Sequence, residues 1–426
     1  MNSKQLHQLF LTCHSANTDT RKIVKNDMFF ALKGANFNGN AFAKKALELG
    51  AKYAIIDEPD FVLNEQTILV QDVLKTLQDL ATYHRHYLNI PIIALTGSNG
   101  KTTTKELISA ILSKKYSTTA TTGNLNNHIG VPLTLLSMTQ DTQIGVVEMG
   151  ANHQKEIQFL CQIAHPDYGY ITNFGKAHLE GFGGVEGVIK GKSELYDYLI
   201  AHKKTIFVNG NDPIQVEKTK HADTFSFGTS GHNVNVTLIE ANPFVHLKYD
   251  ALIIKSQLIG AYNFDNIAAA IAIGHYFKID AHDIRMGIEN YVPNNNRSQI
   301  VTKGKTKIIL DAYNANPTSM RAALVSFKKQ KGKKIAILGD MFELGDYARE
   351  EHQMIADFTA SLNFHDTILV GKNFYNCKTD SKSIKQFKSF DDFKANYNWS
   401  DKSDAIILIK GSRGMALERV LELESF

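Results

Sequence analysis

The residues best suited to chemistry form one run, TGSNGKTTTKE, from Thr96 to Glu106. Gly97 and Gly100 permit a tight backbone turn, so successive N–H groups, with Ser98 and Asn99 between the glycines, can face a phosphate. A helix expected from Lys101 onward adds its positive N-terminal end. The Lys101 amine can reach β- and γ-phosphates, and the hydroxyl of Thr102, followed by Thr103, can ligate Mg²⁺. An apolar strand, PIIALTG, precedes the run, which is the context a nucleotide loop requires. The spacing departs from the common G-x-x-x-x-G-K-[ST] form, because the position six before Lys101 is Leu95.

Five further positions carry suitable groups. Glu148 closes the apolar run GVVEMG (Gly145 to Gly150), where a carboxylate can meet a hard cation. The bland alternative is a surface glutamate at a strand end. His178, in AHLEGFG, could ligate a metal as a neutral imidazole, although a lone histidine is more often structural. Lys192 lies between Gly191 and Ser193, and by periodicity alone it is a solvated helix lysine. Asn263 and Asn266 stand three apart, on one face of an expected helix, where their amides can donate and accept together. Capping or packing would explain the same pair.

Strand-like apolar runs alternate with helix-like segments along most of the chain, the pattern of α/β architecture with a mainly parallel sheet. Three units are expected. The first, residues 1–88, is a small α/β unit with strands at Phe29–Leu32 and Tyr53–Ile56 and a long helix over 72–88 that ends before Pro91. The second, residues 89–297, is a P-loop-type ATPase unit with further strands at Gly145–Gly150, Tyr168–Asn173 and Thr205–Gly210. Over 233–254 the pattern changes to short β-like runs, an antiparallel appendage. A helix over Phe264–Phe277, rich in Ala on one side, should pack closely on a sheet, and PNNNR (Pro293 to Arg297) reads as a linker. The third unit, residues 298–426, is Rossmann-like, with strands in KIILDAY, KIAILGD, TILVG and AIILIKG.

Composition sets limits. The 426 residues carry a formal net charge of only +4, so no general nucleic-acid or membrane binding is expected. The absence of a long apolar run argues against a secretory signal or stable membrane insertion. Cys13, Cys161 and Cys377 are odd in number and far apart, which fits a reducing cytoplasm and neither a disulfide framework nor a zinc pattern.

The nucleotide loop resembles that of the Mur ligases and folylpolyglutamate synthetases, and other segments resemble Mur ligases in the same order along nearly the whole chain. GNLNNHIGVP (Gly123 to Pro132) resembles the family segment that meets the UDP-sugar, through Asn124 and Asn127. VVEMGANH resembles the strand whose Glu, here Glu148, binds Mg²⁺. ITNFGKAHLEGFGGVEGVIKGKSEL resembles the stretch with a metal-site His, here His178, and a carbamylated Lys, here Lys192. GAYNFDNIAAA resembles the adenine-contacting element, through Asn263 and Asn266. Arg297 and Asp311 fit the family's hinge arginine and nucleotide-contacting aspartate.

DAYNANPTSM, LGDMFELGDYAREEH and KGSRGMALE resemble the branch that adds D-alanyl-D-alanine to a UDP-N-acetylmuramoyl-tripeptide. They imply roles for Asn314, Asn316 and Arg413 near the incoming dipeptide or nucleotide. TDTRKIVKNDMFFALKGANFNGNAF resembles the N-terminal nucleotide-sugar segment, through Thr20, Arg21, Lys33 and Gly34, and departs from it at Thr20, Asn38 and Asn40. The resemblance implies a cytoplasmic, monomeric, ATP-dependent ligase with two Mg²⁺ ions, working through an acyl phosphate. Two other readings compete. One is an amide ligase of the same family with another acceptor, against which DAYNANP and GDMFELG argue. The other is a non-catalytic muropeptide binder, which would not need Lys101, Glu148, His178 and Lys192 together.

Overall fold

The computed structural model describes residues 2–398 and 404–423, so the last three residues of the expected third unit lie outside the described ones. The first sheet has four parallel strands, in the order Ala16–Asn17, Met28–Phe30, Tyr53–Ile56, Thr67–Leu69. Behind it runs the helix Val73–Leu88. Asp72 caps its start by accepting from the Lys75 N–H, and Asn89, in the left-handed region at φ 48°, ends it. Its buried stripe, Val73, Leu77, Leu80, Ala81 and His84, is shared. The helix packs against Ser3–Phe10 on one side and against Gly130–Leu136 and Glu156–Ala164 of the middle unit on the other.

The middle sheet has nine strands. Thr118–Ala120, Ile144–Glu148, Ile92–Thr96, Tyr168–Ile171, Thr205–Asn209 and Thr224–Gly228 lie side by side, all parallel. The change of pattern expected over 233–254 is an antiparallel meander, Val234–Ala241, Phe244–Tyr249 and Leu252–Ile259, which continues the same sheet. The helix Ala281–Glu289 lies along its last strand. The helix Asn263–Tyr276 is buried all round from Asn266 to Gly274, not on one side only. It is wedged between the phosphate-loop helix Lys101–Leu112 and the strands Thr205–Asn209 and Thr224–Gly228. Small alanines are what let helix and sheet approach there.

The third sheet runs Gln299–Lys303, Thr306–Asp311, Ala405–Lys410, Lys333–Gly339, Asp366–Val370, Ile384–Phe387. All neighbours are parallel except the first pair, a hairpin. Parallel strands in this order are joined through helices, as the α/β pattern requires. A single apolar cluster continues from Leu6 through Leu135 and Leu195 to Met320 and Leu408, tying the three sheets together.

Candidate active site

The strand Ile92–Thr96 delivers its chain at the carboxyl end of the middle sheet, where open α/β sheets bind ligands. The turn that follows needs glycine twice. At Gly97 (φ 138°) a Cβ would sit 2.0 Å from the Thr172 hydroxyl, and at Gly100 (φ 82°) one would sit 2.3 Å from Asn266 Oδ1. The neighbouring strand-to-helix segment supports the turn. The Ser98 N–H donates to Asn173 O at 3.0 Å. The Asn99 N–H donates to Asn173 Oδ1 at 3.1 Å, and Thr172 and Asn173 donate back to Asn99 O at 2.6 and 2.9 Å. The helix Lys101–Leu112 starts directly after Gly100. The Lys101 amine donates to Gly97 O at 2.7 Å, and burial lowers it below the ordinary lysine range while Glu148 opposes that shift.

Glu148, 2% exposed, ends the adjacent strand. Its Oε2 accepts from the Thr102 hydroxyl at 3.0 Å and its Oε1 from Asn126 Nδ2 at 2.8 Å. Its own N–H donates to Thr121 Oγ1 at 2.9 Å, and the buried Lys105 amine donates to Thr121 O at 2.6 Å. A carboxylate held on both oxygens, beside a hydroxyl at the head of a nucleotide loop, suits a hard cation. Of the three asparagines in GNLNNHIG, Asn126 is the one that touches Glu148. Asn124 and Asn127 line the same cavity, and Asn127 Oδ1 also accepts from the Gly130 N–H at 2.9 Å.

Lys192 is not a solvated helix lysine. It is 1% exposed, its amine donates to Ala151 O at 3.0 Å, and it stands 5.0 Å from the centre of the Phe182 ring. Burial pushes this amine well below the ordinary lysine range, and the charge of Lys101 adds to the effect. A buried neutral amine of this kind can add CO₂ and release a proton, becoming a carbamate. His178 lies in the left-handed region, and its Nδ1 stands 2.5 Å from Glu343 Oε2 of the third unit, a close contact that is not aligned as a hydrogen bond.

Asn126, Glu148, His178 and Glu343 line a cavity of about 1060 Å³ between the middle and third units, and Lys192 is not among its lining residues. Ser98 through Thr103, Asn263, Asn266, Arg297, Asp311, Asn314, Asn316 and Arg413 also line it. The amides of Asn263 and Asn266 are engaged internally. Asn266 Oδ1 accepts from Thr104 at 3.1 Å and its Nδ2 donates to Asn263 Oδ1 at 2.8 Å. They brace the phosphate-loop helix as well as facing the cavity. Arg297 lies over the Tyr313 ring at 3.8 Å, and its buried Nε meets no partner among the described residues. Asp311 accepts from the Lys410 amine at 2.6 Å and from the Ser298 N–H at 3.1 Å. Asn316 caps the helix Pro317–Lys328 and its Nδ2 reaches Asn99 Oδ1 in the phosphate loop at 2.7 Å. Asn314 uses its Oδ1 to accept from the Ala315 N–H at 2.9 Å, and Arg413 pairs with Glu418 at 2.5 Å.

Thr20, Arg21, Lys33 and Gly34 are not brought to this cavity. Arg21 pairs with Asp19 at 2.7 Å on the surface, and Lys33 pairs with Asp57 at 3.1 Å beside the exposed hairpin that carries Gly34. Sequence reasoning missed Asn126, Thr121, Lys105, Lys410 and Glu343. Of these, only Thr121 lay outside the segments already singled out; Lys105 stood in TGSNGKTTTKE, Asn126 in GNLNNHIGVP, Lys410 in KGSRGMALE and Glu343 in LGDMFELG.

A phosphate loop, a buried carboxylate at the next strand end and a buried lysine, facing a third α/β unit, define a nucleotide-dependent ligase. Three family profiles match in succession: "Mur ligase family, catalytic domain" over 12–85, "Mur ligase middle domain" over 95–274, and "Mur ligase, glutamate ligase domain" over 296–413. The chain belongs to the Mur ligase family. It is 35% identical to the UDP-N-acetylmuramoyl-tripeptide--D-alanyl-D-alanine ligase of Bacillus subtilis, over 96% of this chain and 92% of that one. Its structure resembles that of MurF from Acinetobacter baumannii, with a TM-score of 0.88 at 32% identity, covering 99% of this chain and 98% of the other. It also resembles MurF ligase from Thermotoga maritima in complex with ADP, with a TM-score of 0.82 at 27% identity, over 98% of both chains.

Proposed function

We propose that this chain joins D-alanyl-D-alanine to UDP-N-acetylmuramoyl-tripeptide at the expense of ATP, giving the pentapeptide precursor of peptidoglycan. The observation that carries this reading is the shared cavity, in which the phosphate loop of one unit faces the DAYNANP segment of the next. Residues 1–88 would hold the nucleotide-sugar, 89–297 the ATP, and 298–426 the dipeptide. Thr20, Arg21, Lys33 and Gly34 belong to the first role, with Asn124 and Asn127 completing it across the boundary.

The tripeptide carboxylate attacks the γ-phosphorus of ATP, and ADP leaves. The amine of the dipeptide then attacks the carbonyl of the acyl phosphate, loses a proton, and expels phosphate. Gly97, Ser98, Asn99, Gly100 and Thr103 cradle the phosphates by backbone and hydroxyl groups, and Lys101 neutralises charge that spreads over the phosphoryl oxygens. Asn263, Asn266, Arg297 and Asp311 hold the rest of the nucleotide, and Asn314, Asn316 and Arg413 orient the dipeptide. Thr102, Glu148, His178 and carbamylated Lys192 are the residues proposed to hold Mg²⁺, together with nucleotide oxygens. Bound Mg²⁺ would supply charge neutralisation at the transferring phosphoryl group. Among the described residues no three His, Cys, Asp or Glu side chains are grouped to hold a metal. No described helix is long and apolar enough to cross a membrane. The reading further holds that the enzyme is cytoplasmic and acts as a monomer.

Phosphate release with UDP-N-acetylmuramoyl-tripeptide, ATP and Mg²⁺, with and without D-alanyl-D-alanine, tests the proposal. Turnover that depends on the dipeptide is expected. Equal turnover with a single amino acid as acceptor would favour another member of the family.

A further inference from the structure

His178 and Glu343 come from different units, and both are held in a backbone conformation that few non-glycine residues adopt, at φ 53° and 61°. His178 precedes the short helix Leu179–Phe182, and Glu343 lies in the MFELG turn after the strand Lys333–Gly339. The two turns are clasped at backbone level as well. The Glu180 N–H donates to Glu343 O at 3.3 Å, and a Cβ at Gly345 would lie 3.1 Å from Glu180. The Glu343 carboxylate then comes within ion-pair distance of Nδ1 of the His178 ring, at 2.5 Å, although the two are not aligned as a hydrogen bond. The ring lines the same cavity as Thr102 and Glu148.

An imidazole can ligate a metal only through a nitrogen that carries no proton. A carboxylate at one ring nitrogen keeps the proton there, frees the other nitrogen and fixes the ring plane. We infer that Glu343 is a positioning residue, supplied by the third unit, that holds His178 with Nδ1 protonated and Nε2 available to the cation in the cavity. The inference rests on the metal role proposed for His178. Its consequence is that the cation site reaches full strength only when the third unit is docked, so nucleotide-metal binding and docking are coupled through one side chain.

A second interdomain ion pair provides the control. Lys176, two residues from His178 in sequence, pairs with Glu351 at 2.5 Å. The test uses the full chain with Mn²⁺ and a non-hydrolysable ATP analogue, reading Mn²⁺ affinity by electron paramagnetic resonance and the His178 tautomer by ¹⁵N resonance. E343A should weaken Mn²⁺ binding about 10- to 100-fold, the range seen when a ligand histidine loses its carboxylate partner. It should also convert the Nδ1-protonated ring to a mixture of tautomers, while metal-free affinity for the analogue stays unchanged. E343Q keeps an acceptor oxygen and should fall between E343A and the unaltered protein, which preserves the test if E343A does not fold. E351Q should leave the tautomer alone. If E343A and E343Q match the unaltered protein while H178A loses Mn²⁺, the inference is overturned and the metal role of His178 stands. If H178A itself binds Mn²⁺ normally, the metal role fails and the inference with it. If E351Q shifts the tautomer as far as E343A does, docking alone is responsible and Glu343 has no specific part.

Discussion

Replacing Lys192 by Met should abolish ligation and at the same time stabilise the protein. In the unfolded chain this amine is charged at neutral pH. In the folded chain it is 1% exposed, with one hydrogen bond, to Ala151 O at 3.0 Å, and an aromatic ring at 5.0 Å. Folding must therefore either bury a charge or release a proton, and both oppose stability. Methionine has nearly the same length, fills the space beside Phe182 and removes that cost. The gain at pH 7 should be about 1–3 kcal/mol, the usual cost of a buried and incompletely satisfied polar group. The sign of its pH dependence is fixed. The folded-state pKa lies below the unfolded value, so the folded state binds fewer protons, and the stability of the unaltered protein rises with pH until the unfolded amine also loses its proton near about 10.4. The advantage of Lys192→Met should thus shrink between neutral and alkaline pH. It should shrink also in bicarbonate, because CO₂ captured by the folded amine alone stabilises by mass action. Urea denaturation at pH 7 and pH 9.5, with and without bicarbonate, measures all of this. A variant less stable than the unaltered protein at pH 7, or an advantage indifferent to pH, would refute the account of a strained, uncharged lysine.

Lys101→Ala should lose nearly all phosphate release, on the order of several kcal/mol of transition-state stabilisation, with an unchanged circular dichroism spectrum; near-normal kcat would remove it from the mechanism. Asn126→Ala frees one oxygen of Glu148 and should raise the Mg²⁺ concentration needed for half-maximal rate by about 10-fold, as loss of an outer partner does elsewhere, and an unchanged Mg²⁺ dependence would limit Asn126 to a loop role. Acid should loosen the first unit. His84 Nε2–H donates to Met138 O at 2.8 Å, which leaves its Nδ1 to accept from His7 Nε2–H at 2.9 Å, and burial lowers both rings, His7 to about 4. With folded pKa values below the unfolded one, stability is intact above pH 6.5 and is lost as pH falls toward 4, by about 1–2 kcal/mol at pH 5. A His7→Phe variant should flatten that dependence in urea titrations, and an equally steep loss would exonerate the pair.

The strands Ile92–Thr96 and Ile144–Glu148 were legible because buried parallel strands read as unbroken apolar runs, and the polar residues that end such runs are the ones that face a ligand. Lys101, Thr102 and Glu148 could therefore be placed together from sequence. Gln299–Lys303 and Ile384–Phe387 were not legible, since edge strands mix polar and apolar residues and resemble loops. Which asparagine of GNLNNHIG would reach Glu148 depends on the turn before Gly130, and composition does not encode that. Glu343 was hidden for a related reason. Its importance comes from meeting a turn 165 positions earlier, and periodicity carries no signal for contacts between units. Lys192 shows the opposite case, where periodicity pointed to solvent and the resemblance pointed to the interior.

The antiparallel meander has one more implication, for how the outer edge of the middle sheet is protected. A nine-stranded sheet ending in an eight-residue strand would offer a row of unpaired amides to any neighbour. Here the helix Ala281–Glu289 lies along that strand. The Glu289 carboxylate accepts the Lys255 N–H at 2.9 Å, and Glu289 O accepts from Gln257 Nε2 at 2.8 Å. Two irregularities in strand pairing, at Leu238/Glu240 and Phe244/His246, twist the meander away from flatness. The appendage thus works as a terminator: it closes the far edge of a wide sheet whose nucleotide loop follows the third strand from the opposite edge, and it denies that far edge a role as a template for edge-to-edge growth.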